Sequence, residues 1–140
     1  MKAFNFKDAP IKLFGASLNK NNRIVRMDEE IAKTVNEFTA VRIFSGAGVR
    51  IRFKTNSKHI KLRANVESNG IDWAIPLSGS CGMDIFEEQE RIGNFCPKNY
   101  GVLEFEEIFE KSEELSNITI MLPRNEPVLD LEISIDDDAV

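Results

Sequence analysis

Histidine occurs once in this chain of 140 residues, at position 59. Histidine is the usual general base near neutral pH and the commonest metal ligand, so a single copy rules out a multi-histidine metal centre and limits acid–base chemistry severely. Cysteine occurs twice, as Cys81 and Cys96, and tryptophan and tyrosine once each. With no other sign of an oxidising compartment, the two cysteines read as reduced thiols. Long apolar runs are also lacking. Asp8 and Pro10 interrupt the N-terminal segment before it reaches the length of a signal-peptide core, and the stretch from Ile118 to Pro123 is far too short to cross a bilayer. A cytoplasmic location and no membrane contact are the expectations. Cations are the minority sign: 18 Lys and Arg against 23 Asp and Glu give a net charge of -5, which disfavours nucleic acid as a partner because phosphate binding needs an excess of basic side chains.

What is present is a globular composition, 42% hydrophobic and 29% charged, with 10 Phe that look like core. A chain of this length buries roughly two-thirds or more of its unfolded surface and needs no disulfide or metal to fold. One domain over residues 1–140 is expected, with residues 1–20 as an N-terminal extension.

From about residue 40 apolar residues recur with a period of two, in short runs separated by Gly, Pro, Asn and Ser. Val49, Ile51 and Phe53 take one side of a strand and Arg50, Arg52 and Lys54 the other; Ile60, Leu62, Ala64 and Val66 repeat the pattern after the turn Thr55 to Lys58. Trp73 to Ile75, Cys81 to Phe86, Val102 to Phe109, Ile118 to Leu122 and Val128 to Ile135 extend the series. About eight strands predict an all-β, antiparallel sandwich or barrel. One helix is predicted over Asp28 to Phe38, with Asp28 as cap and Ile31, Val35 and Phe38 on one face, closing a mouth of the sandwich. Lys111 to Ser116 reads as a solvated loop.

Charge is uneven. Residues 42 to 63 hold seven cations and no acid, and residues 126 to 140 hold six acids and no cation. A basic hairpin places like charges opposite one another, so an acidic strand, Leu129 to Ile135 or Leu103 to Phe109, is expected beside it on the same sheet. The functional alternative is an anion-binding face.

Candidate chemistry is sparse. His59 begins a strand and reads as solvated. Ser17 lies too near the N-terminus to follow a buried strand, as a nucleophile on a sharp turn must. Cys81 has no activating histidine nearby in sequence, and burial in an apolar strand raises a thiol pKa rather than lowering it. Glu87, Glu88 and Glu90 flank a turn and Asp136 to Asp138 form a terminal run, which are solvated positions. Asp84, between Met83 and Ile85, is either on an outward face beside Phe86 or a buried carboxylate with a partner.

Three segments carry a resemblance. Ser45 to Ser57, with Gly48-Val49-Arg50-Ile51-Arg52-Phe53, resembles a strand and turn of the N-terminal jelly-roll domain that precedes the catalytic domain of SGNH (GDSL-type) esterases. Gly82-Met83-Asp84-Ile85-Phe86 is similar to that domain's Gly-x-Asp-Leu-Tyr motif, with Ile and Phe in place of Leu and Tyr. Ile120-Met121-Leu122-Pro123 and Val128 to Ile133 resemble its closing strands. The order holds from about residue 20 to the C-terminus.

The resemblance implies a jelly-roll-like sandwich and a role as the non-catalytic N-terminal module of a longer esterase, whose substrates are acetylated carbohydrates or other small acyl esters. Its partner is then the SGNH catalytic domain in cis. No catalytic residue carries over, because neither a Gly-Asp-Ser block nor an Asp-x-x-His is present. No cofactor or metal is expected. Gly82, Asp84 and Phe86 are assigned to a structural or interdomain role. The alternative is a free-standing carbohydrate-binding module, in which Trp73 supplies a stacking ring and Asp72 a hydroxyl acceptor; the plainer reading of Trp73 is core or interdomain packing. A small enzyme using Asp84 or the glutamates is a third reading, and it has no visible base of suitable pKa.

Overall fold

The computed structural model describes residues 1–140. The period-two runs become strands: β1 (Lys2–Asn5), β2 (Lys12–Phe14), β3 (Ser17–Leu18), β4 (Ile24–Val25), β5 (Arg50–Thr55), β6 (His59–Val66), β7 (Met83–Glu87), β8 (Glu90–Phe95), β9 (Glu104–Glu110), β10 (Ser116–Met121) and β11 (Val128–Ile135). Helices α1 (Glu29–Val35) and α2 (Glu37–Arg42) lie between β4 and β5, and α3 (Leu77–Ser80) precedes β7. One sheet has the order β1-β11-β6-β9 and the other β2-β5-β10-β7-β8, while β3 and β4 form a short ribbon. Every pairing is antiparallel, as the alternation implied. The first 20 residues supply β1 to one sheet and β2 to the other.

The two sheets close because each has one mainly apolar face. Ile60, Leu62, Ala64 and Val66 of β6, with Leu131 and Ile133 of β11, share a core with Ile51, Met83, Ile85, Ile118 and Ile120 of the second sheet, and none is more than 1% exposed. Truncating one of the large side chains to alanine costs about 2–5 kcal/mol. Phe95 meets Phe105 at 4.6 Å with the rings tilted by 48°, and Phe109 edge-on at 6.0 Å. Gly93 makes room for this cluster, since a β-carbon there would stand 2.6 Å from the Phe109 ring.

Several local expectations are corrected. β5 and β6 do not form a hairpin: β5 pairs with β2 and β10, β6 with β11 and β9, so the Asn56 to Lys58 link crosses from one sheet to the other. Both strands have a buried face, and facing each other across the core satisfies both at once. Both acidic strands flank β6, where Lys61 meets Glu106 at 3.2 Å and Arg63 pairs with Glu104. The cations of β5 share a sheet with neither acidic strand. Trp73 to Ile75 is a loop rather than a strand. Lys111 is not solvated, for its ammonium group is enclosed, donating to the carbonyls of Ser112 and Glu114 and lying 3.5 Å from Glu87. β8 has no counterpart in the sequence-based series.

The predicted helix breaks in two. Asp28 caps α1 as expected, its Oδ1 accepting from the amides of Glu30 and Ile31 at 2.9 and 3.1 Å. Asn36 then adopts extended backbone and caps α2, accepting from the Thr39 amide at 2.7 Å. Ala32 is the side chain that packs inward, against Val25 and Ile43. The face of Ile31, Val35 and Phe38 points to solvent instead of closing the sandwich. No helix is long and apolar enough to cross a membrane.

The registers place α1, α2, the 67–82 segment and the 96–103 loop at one end of the sandwich. The 56–58 link, the 111–115 loop and both termini lie at the other, where the Val140 amide donates to Asn56 Oδ1 at 2.9 Å.

Candidate functional site

Gly82 follows α3, and its amide donates to the Ser78 carbonyl at 3.1 Å. A β-carbon on Gly82 would stand 2.1 Å from that carbonyl oxygen and 3.0 Å from Asn94 Nδ2, so the helical turn packs directly on the start of β7. Two residues on, Asp84 faces outward, as one of the two sequence readings had it. Its Oδ1 accepts from Asn94 Nδ2 at 3.0 Å and from Arg91 Nε at 2.8 Å, clasping β7 to β8. Phe86 lies on the same outer face, beside Thr119 and Arg91 in register. Both bonds are made within the β7–β8 pair, one to a side-chain amide and one to a guanidinium.

Trp73 is 96% exposed, which corrects its reading as a core side chain. It lies in the loop before α3, in an open cleft of about 440 Å³ shared with Ile71, Ile75, Pro76 and Tyr100. Asp72 stands beside it, but one carboxylate oxygen accepts from the Ala74 amide at 2.8 Å, forming a turn. The ring is thus free to stack, while its carboxylate neighbour is partly committed to its own loop.

At the opposite end, a cleft of about 600 Å³ brings together Ser57, His59 and Asp136. These are the residue types of a hydrolytic triad, wired in a different order. Asp136 Oδ2 lies 2.9 Å from Ser57 Oγ and accepts from the His59 amide at 3.1 Å, and His59 Nδ1 is 3.3 Å from the same carboxylate. Ser57 Oγ is also 2.6 Å from the His59 carbonyl, and His59 Nε2 faces Glu110 at 4.0 Å. The imidazole is therefore not poised to take the serine proton, which a triad requires. Donation from the His59 amide, then from Ser57, holds the Asp136 carboxyl below its usual range. The group fastens the residues after β11 to the β5–β6 link. Reading His59 as solvated missed this, since its partner lies 77 residues away.

The thiols behave as their surroundings dictate. Cys81 caps α3 rather than sitting within a strand, and burial pushes its thiol up to about 11. Cys96 is raised by burial too, and both are free.

Two solved structures share this fold. A GDSL-like lipase from Bacteroides ovatus superposes with a TM-score of 0.84 at 20% identity, over 99% of this chain and 42% of its own. A salicylyl-acyltransferase from a tetracycline biosynthetic pathway superposes with a TM-score of 0.75 at 16% identity, over 99% of this chain and 40% of its own. The chain thus spans about two-fifths of the length of either. No curated protein matches it in sequence. The family described as the GxDLY N-terminus of SGNH-hydrolase-type esterases matches residues 1–140, and the chain belongs to that family.

Proposed function

We propose that the chain is a non-catalytic accessory β-sandwich, the N-terminal module of an SGNH-type esterase, which packs on the catalytic domain and orients it toward acyl esters of carbohydrates. The observation that carries this reading is the unpartnered apolar face of α1 and α2. Ile31, Val35, Phe38 and Val41 are each 57–68% exposed on two adjoining short helices, with Met27 beside them. Exposed apolar patches of this kind mark a surface that another domain covers. Lipase and acyltransferase, the activities named for the two solved structures, both move acyl groups.

The apolar face and Val140 lie at opposite ends of the sandwich. The six residues of β5 alone cover about 20 Å, so a domain that follows Val140 and covers α1 and α2 needs an extended link of roughly ten residues. Two free thiols, one of them buried, suit a reducing compartment, and the cytoplasm is the proposed location.

Hydrogen exchange tests the docking. Amides of residues 29–42 should exchange more slowly in a protein carrying this chain ahead of a hydrolase domain than in the 140-residue chain alone. Equal exchange in the two would remove the helix face as the contact. The isolated chain should also leave para-nitrophenyl acetate unhydrolysed, and turnover above background would contradict a non-catalytic role.

A free-standing carbohydrate-binding module is the second reading, favoured by the exposure of Trp73 beside Asp72. If it is right, Trp73→Ala abolishes binding to a neutral glycan panel; unchanged affinity sinks it.

A further inference from the structure

The two sheets treat their outward cations differently. On β6, Lys61 and Arg63 each meet a glutamate of β9. On the other sheet Lys12 of β2 and Arg50, Arg52 and Lys54 of β5 are exposed, and none has a carboxylate within ion-pairing distance. Lys12 and Arg52 are directly opposed in register, an arrangement that costs stability unless something outside the fold offsets it. The acid in electrostatic range is Glu88 in the β7–β8 turn, which faces Lys54 and Arg52 but is itself held by the Asn117 amide and side chain. Asp84, farther across the sheet, is taken by Arg91. Four cations thus face one acid on a flank of a protein whose net charge is -5.

The polar and aromatic groups among these cations define the ligand further. Lys12, Arg52, Thr119, Phe86 and Arg91 stand opposite one another in a row across all five strands, a span of about 19 Å at the usual strand spacing. In the two flanking rows, Phe14 lies under the Arg50 guanidinium, 5.7 Å from it, on one side, and Asn117 stands beside Lys54 on the other. A shallow cleft of about 340 Å³ lies over Lys12, Phe14, Arg52 and Asn117. Guanidinium and ammonium groups recognise carboxylates or sulfates, Thr and Asn hydrogen-bond hydroxyls, and flat rings receive the apolar faces of sugars.

We infer that this sheet face binds an acidic polysaccharide, with Lys12, Arg50, Arg52 and Lys54 pairing with carboxylates or sulfates spaced along the sugar chain. The choice of a sugar rests on the proposed carbohydrate-ester function; the choice of an anionic one rests on the unpaired cations. A duplex nucleic acid or an anionic membrane spreads its charge over a broad surface that would also meet the acidic remainder of the molecule, whereas a single polysaccharide chain can lie along the cation row alone. The site is separate from the helix face, so docking and ligand binding fail independently.

The test is titration calorimetry of the 140-residue chain with polygalacturonate and dextran sulfate, and with dextran, duplex DNA and phosphatidylserine vesicles for comparison. Polygalacturonate, dextran sulfate or both should bind, more weakly as salt rises, and dextran should not. The Lys12→Gln and Arg52→Gln double variant should bind about tenfold more weakly, while Lys61→Gln, on the opposite sheet, should bind as the parent does. Circular dichroism confirms that the variants fold; if the double variant does not, Lys54→Gln replaces it. No binding to either acidic polysaccharide, an unchanged double variant, or tighter binding to DNA or vesicles overturns the inference. If acidic polysaccharide fails to bind while an esterase carrying this chain still releases acetate from neutral acetylated oligosaccharides, the charged face is refuted and the carbohydrate-ester reading survives.

Discussion

Gly82 and Ser78 pack so closely that the Ser78 carbonyl oxygen occupies the space where a β-carbon on residue 82 would lie. The contact joins α3 to the start of β7, and two residues on Asp84 ties β7 to β8 through Asn94 and Arg91.

Gly82→Ala should therefore lower stability by about 1–3 kcal/mol, because the neighbour that must yield is backbone. Chemical denaturation measures it. A midpoint unchanged from the parent would mean that α3 moves freely and the motif glycine has another role.

Glu87 and the enclosed Lys111 predict an acid-sensitive core edge. Burial alone would raise the Glu87 carboxyl, but hydrogen bonds from Ser112 and Ser116 and the Lys111 ammonium bring it down to about 2 from an ordinary value of 4.5. A depressed carboxyl contributes stability that is fully present above 4.5 and is lost as pH falls through about 2. Glu87→Gln should cost about 3 kcal/mol at neutral pH by leaving the ammonium unpaired, and should flatten the acid limb of the stability profile. A variant with the parent's acid limb would show that Glu87 does not drive it.

Cys81, with its thiol near 11 and its side chain buried, should react slowly with a thiol reagent at pH 8. Cys96 is more accessible and should label first. Mass spectrometry after timed labelling separates the two, and rapid labelling of Cys81 in folded protein would contradict its burial.

Trp73→Ala should leave the folded chain's stability within about 0.5 kcal/mol of the parent, because a side chain 96% exposed has little packing to lose. A loss of several kcal/mol in thermal unfolding would mean that the ring packs inward in solution.

Much of the fold was legible. Alternation in β5, β6, β10 and β11 named the strands and their buried sides, and Asp28 announced the start of α1. The motif strand was found, and one of its two readings of Asp84 held. The Asn36 break was not foreseen, because Ile31, Val35 and Phe38 read as a continuous helical face that the fold leaves uncovered. Nor was the burial of Lys111: its partner Glu87 comes from a different strand, and local sequence carries no trace of a contact across 24 positions.

The sequence by itself determined that the chain is all-β and antiparallel, a sandwich or a barrel, and that it is poor in the groups hydrolysis needs, since period and composition are local properties. Only the tertiary structure decided which sheet each strand joined. Side-chain alternation specifies a strand's inner and outer faces but not its hydrogen-bonding neighbours, which depend on packing both sheets at once. That choice separated β5 from β6, neutralised one set of cations beside Glu104 and Glu106, and left Lys12, Arg50, Arg52 and Lys54 facing outward without partners.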